Sequence, residues 1–92
     1  MQKYAEIQQL LSCYAMQFPE WRIIRRFTVI LYNYAYNIAV VEKEHLLNGT
    51  SWELYYILFP DINEDCEPVC IPIREYFTLD RANIAFTALT KL

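Results

Sequence analysis

The sequence predicts an all-α fold: a small single-domain four-helix bundle over residues 1–92, built around a long central second helix. Three observations carry that prediction. Apolar residues recur at three- and four-residue spacing along most of the chain. One Gly and four Pro in 92 residues are few turn formers for a β-rich protein. A content of 55% hydrophobic and 16% aromatic residues supplies a core even for so short a chain.

The first helix is expected over roughly residues 2–18. Tyr4, Ile7, Leu11, Tyr14 and Phe18 fall on one face, and Pro19 ends it, because the residue before a proline avoids the helical region. The second is expected over 20–47, with Glu20 favouring its N-terminus and Asn48-Gly49 stopping it. Arg22, Arg26, Asn33, Asn37 and Glu44 share a polar stripe, and Ile24, Phe27, Leu31, Ala35 and Ile38 lie opposite. The stretch Tyr36–Val41 is rich in β-favouring residues. It does not alternate cleanly, though, and the helical stripe runs through it, so it is assigned to the helix. The third helix, 51–59, opens on a capping box of Thr50 and Glu53 and shows Trp52, Tyr55, Tyr56 and Phe59. The fourth, 78–91, is capped by Thr78, has Asp80 in its first turn, and buries Leu79, Ala82, Phe86 and Leu89. Residues 60–77 form a long acidic connector of the kind that is often functional.

Composition narrows the function. A net charge of −3 gives no bulk positive field toward nucleic acid or anionic lipid. The longest uncharged run, Phe27–Val41, is too short to span a membrane. The polar N-terminus lacks a signal-peptide core, so the expected location is the cytoplasm, with the three cysteines expected to be reduced.

Metal and catalytic motifs are incomplete. Asp61, Asn63 and Asp65 match the start of a calcium loop, but Cys66 stands where the loop needs Gly and Pro72 where it needs a bidentate carboxylate. Cys66 and Cys70 have ligand spacing without a second pair, and His45 is the single histidine. Glu42-x-x-His45 matches half of a di-metal helix motif. Cys13 reads as a packed thiol. One Gly rules out a glycine-rich phosphate loop. The sequence therefore predicts no catalytic residues, no metal and no cofactor, and a protein that is not an enzyme.

Binding remains. Arg22, Arg25 and Arg26 offer planar forks suited to carboxylate or phosphate. Tyr32 and Tyr36, beside Val40, Val29 and Arg25, form an exposed aromatic strip on the expected helix. Asp61, Glu64, Asp65 and Glu67 make the connector negative. These nine residues are the expected partner-binding set. The expected function is a small non-enzymatic protein–protein interaction module, acting as adaptor, small subunit or inhibitor. Its partner is another protein or a second copy of the chain in a homodimer. The alternative is a nucleic-acid-binding regulator using the Arg cluster on the second helix.

Overall fold

The computed structural model describes residues 7–13, 19–58 and 69–91, and it is not a helical bundle. Helix α1 covers residues 7–13, and a 3-10 turn, Pro19–Ile23, follows. Four strands come next: β1 (Ile24–Asn33), β2 (Ile38–His45), β3 (Thr50–Leu58) and β4 (Val69–Tyr76). Helix α2 (Leu79–Thr90) ends the described chain. The strands form one antiparallel sheet in the order β1-β2-β3-β4.

The expected second helix is thus a hairpin, β1 and β2, and the expected third helix is β3. The second half of the expected connector is β4; residues 59–68 lie outside the described residues.

Local chemistry explains the hairpin. Asn33, placed on a helical polar stripe by its spacing, accepts at Oδ1 from the backbone N–H groups of Ala35 (2.9 Å) and Tyr36 (3.2 Å). It closes the β1–β2 turn in the way short polar side chains favour. Asn37 takes the left-handed conformation, φ 55°, which Asn tolerates better than most residues. Between β2 and β3 the chain turns through Leu46–Gly49, where the His45 N–H donates to the Gly49 carbonyl at 2.7 Å. Gly49 has φ 78°, a value that strains any residue with a Cβ. Thr50 and Glu53 do not cap a helix: Thr50 opens β3, and Glu53 faces Lys43.

The sheet is covered on both sides. On one face α1 buries Ile7 and Leu11 against Val29, Ala39, Val41, Tyr55, Ile57 and Cys70. On the other, α2 lays Ala82, Ala85, Phe86 and Leu89 over Ile38, Val40 and Leu54. The helical faces expected for α1 and α2 are real over these residues. The exception is Leu79, which is exposed. Thr78 caps α2 as expected, accepting from the Arg81 N–H at 3.3 Å, with Asp80 in the first turn.

Both edge strands are irregular. β1 carries bulges at Arg25 and Ile30. The Gln8 amide of α1 binds its backbone, donating to the Phe27 carbonyl at 2.9 Å and accepting from the Val29 N–H at 2.8 Å. β4 contains Pro72 and an irregular register at Ile73. Bulges and proline are the usual means of discouraging strand addition at a sheet edge.

Candidate interaction surface

The expected binding residues do not assemble as predicted. Arg22 lies in the 3-10 turn, while Arg25 and Arg26 lie on β1, so no α-helix carries the cluster. All three are exposed, and Arg26 pairs with Glu44 across the β1–β2 ladder at 3.3 Å. Tyr32 is half-buried at the α1-face core and donates from its hydroxyl to Asn37 Oδ1 at 3.2 Å; Tyr36 sits exposed in the turn. Val29 and Val40 are buried on opposite faces, so the aromatic strip does not form. Asp61, Glu64, Asp65 and Glu67 lie outside the described residues, as does Cys66.

The metal motifs also separate. Three residues apart on one strand, Glu42 and His45 point to opposite faces. No group of three or more His, Cys, Asp or Glu among the described residues is placed to hold a metal ion. No helix among them is long and apolar enough to cross a membrane.

The thiols split as well. Cys13 is exposed rather than packed, and Cys70 is buried in the α1-face core. Burial pushes the Cys70 thiol up from its ordinary 9.0 to about 11, because an apolar setting disfavours the thiolate. The folded state therefore prefers the protonated form. The thiol's contribution to stability is complete below pH 9 and is lost as the pH climbs toward 11. At pH 8, iodoacetamide should label Cys13 in the native protein and spare Cys70, whereas denatured chains should be labelled at both. Peptide mass spectrometry distinguishes these outcomes, and equal native labelling would mean Cys70 is not enclosed.

Sequence reasoning missed a polar row on the α1 face. Lys43, with its side chain 7% exposed, donates to Glu53 and, at 2.7 Å, to the Tyr55 hydroxyl. Tyr55 in turn donates to Glu53 at 2.6 Å. The ammonium also lies 4.3 Å from the Trp21 ring centroid, a cation–π contact. One step along the same strands, Ser51 donates to Glu75 at 2.8 Å and meets His45 Nε2 at 2.7 Å. With the Ser51 proton committed to Glu75, its oxygen accepts, so Nε2 carries the histidine proton. Although the residue types match those of a hydrolytic triad, Ser51 is fully buried and its hydroxyl points to the carboxylate. A nucleophile needs its base as the hydrogen-bond acceptor and a path to substrate. This row instead holds β2, β3 and β4 in register at the end of the sheet where the apolar core runs out.

The outward surface is uneven. Val69, Ile71 and Ile73 of β4, Tyr56 and Leu58 of β3, and Phe77 just beyond β4 are all exposed. Tyr56 opposes Ile71, and Leu58 opposes Val69, so these residues form a contiguous corner of the sheet. Phe77 is 75% exposed, and Ile84 on the outer side of α2 is 69% exposed. Between β4 and α2 runs an open groove of about 610 Å³, floored by Tyr76, Ala85 and Ala88 and bordered by Arg74, Arg81 and Phe77. Exposed apolar side chains and an open groove on one strand–helix flank are the kind of surface that often marks an interaction site.

No known family, curated protein or solved structure matches this chain. The function is therefore argued from the site alone.

Proposed function

We propose that the chain is a small protein–protein interaction module, an adaptor, small subunit or inhibitor, and that it binds through the flank made by β4 and α2. The observation that carries this reading is the concentration of outward apolar side chains on that flank. The sheet already has a helix on each face, so residues such as Ile71 and Phe77 face water although other apolar residues of the same strands are buried. A partner that covered them would gain the usual apolar transfer term, about 25 cal/mol per Å² removed from water. The irregular edges favour docking on the flank over extension of the sheet.

The test is site-specific photocrosslinking of the full chain in its source cells. A photoreactive residue at Phe77 or Ile71 should give a discrete adduct, whereas one at Thr28, exposed on β1 at the opposite edge of the sheet, should not. An adduct of twice the chain mass would identify the partner as a second copy. Equal crosslinking from all three positions, or none from Phe77 and Ile71, would overturn the assignment of the flank.

A further inference from the structure

Resting on that reading, we infer that the groove between β4 and α2 takes an acidic, apolar-anchored segment of the partner protein, with Arg74 and Arg81 as the residues that select it. Arg74 and Arg81 border the groove, and among the described residues neither has a carboxylate within ion-pairing distance. The Arg74 guanidinium lies 5.4 Å from the Tyr76 ring centroid, a cation–π contact. Arg81 occupies the first turn of α2, where the positive end of the helix dipole disfavours a cation. The turn therefore adds to the positive potential that Arg81 presents.

The acids nearby do not cancel it. Asp80 shares the turn but does not line the groove. Glu75 does line it, and its carboxylate accepts from Ser51 on the α1 face of the sheet. Among the described residues, Arg74 and Arg81 thus line a largely apolar groove without a carboxylate partner, in a chain of net charge −3. Arginine is the residue best suited to bidentate capture of a carboxylate.

The shape indicates what carries that carboxylate. At about 610 Å³ the groove has the volume of a ligand site, but it is open along its length and its rims, Phe77 and Ile84, stand mostly in water. An occupant that covers those rims as well as the floor is longer than a small molecule enclosed in a pocket. A peptide segment with one or two large apolar side chains, flanked by Asp or Glu, fills the floor, covers Phe77 and Ile84, and meets both guanidiniums.

The experiment uses the full chain and a phage-displayed library of random linear peptides. Selected peptides should combine Asp or Glu with Leu, Phe or Trp. When one is titrated into isotopically labelled protein, NMR shifts should concentrate at Arg74, Phe77, Arg81 and Ile84. Binding should weaken as salt rises, and should weaken more than about tenfold in an Arg74→Glu/Arg81→Glu variant. Arg74→Gln/Arg81→Gln, which removes charge without reversing it, guards against a misfolded first variant, and circular dichroism checks both.

Enrichment of basic or uncharged peptides would overturn the inference, as would shifts centred on Arg22 and Arg25 or no enrichment at all. Shifts at the groove produced by laurate and not by peptides would overturn it in favour of a small amphiphile. Loss of the groove signals through concentration-dependent dimerisation would overturn it in favour of a second copy. If peptides fail while crosslinking at Phe77 succeeds, the interaction surface stands and its acidic selectivity falls. If both fail, the interaction reading falls as well.

Discussion

Glu53→Ala should destabilise the protein by about 3 kcal/mol, the cost of leaving a buried ammonium without its carboxylate. Lys43 has a nearly enclosed side chain, and its Nζ is held by Glu53, the Tyr55 hydroxyl and the face of Trp21. Taking away the carboxylate leaves the charge with a neutral acceptor and an aromatic ring. Lys43→Met should cost less, because Glu53 is more exposed than Lys43 and keeps the Tyr55 hydroxyl as a donor. The Lys43→Met/Glu53→Leu double variant should come close to the parent, since replacing a buried ion pair with apolar groups of similar volume is often neutral or stabilising. Urea denaturation of the parent, Lys43→Met, Glu53→Leu and the double variant closes the cycle. The expected coupling is about 2 kcal/mol or more, well beyond the additivity found for independent sites. Additive losses would mean that water reaches the pair. For a small domain stable by about 5–10 kcal/mol, the Glu53→Ala loss alone would raise the unfolded population more than a hundredfold.

This pair also shows why the site was hard to read in the sequence. Lys43 and His45 are two residues apart on β2, and Ser51, Glu53 and Tyr55 follow the same period on β3. The row exists only once those segments are strands. Counted at helical spacing, Glu42 and His45 look like neighbours and Lys43 looks solvated. The best signal was Asn48-Gly49 between two apolar runs, a strong hairpin indication. It was equally legible as a helix stop, and the helical stripe decided the choice.

That stripe has a physical origin in the sheet. An ideal strand returns to the same face every second residue. In β1 the bulges at Arg25 and Ile30 each insert one residue, so Ile24, Phe27, Val29 and Tyr32 reach the α1-face core at spacings of three, two and three. Ile30 and Leu31 both serve the other face. The result mimics the spacing of a helix. In β2, Ile38–Val41 are all buried because each face of the strand has its own helix. A strand covered on both faces shows a continuous apolar run without alternation. The missing alternation in Tyr36–Val41 was therefore a sign of centrality in the sheet and not of helix. The two terminal helices were legible because each buries one face only. The corner at Tyr56 and Ile71 and the Arg74–Arg81 groove were not, since they depend on which strands lie side by side.

Leu11→Ala should lower stability by about 3 kcal/mol, the middle of the range for truncating a fully buried leucine. Leu11 and Ile7 are the residues through which α1 enters the core shared by Trp21, Val41, Tyr55, Ile57 and Cys70. Most helical stability in proteins comes from packing of an apolar face, so the seating of α1 depends on these contacts. The loss should also spread. If α1 detaches, the Gln8 amide leaves the backbone of Phe27 and Val29, and β1 exposes unpaired groups that favour association between copies. Cys70 should then react with iodoacetamide under native conditions. Ser12→Ala on the exposed side of the same helix removes only a hydroxyl that donates to the Gln8 carbonyl at 3.0 Å, and should change stability by less than about 0.5 kcal/mol. Thermal melts give the stability difference, and timed labelling of Cys70 reports whether α1 has left the sheet. A lower melting temperature with Cys70 still protected would show that Leu11 fills the core without α1 acting as the cover. An unchanged melting temperature would place Leu11 outside the core.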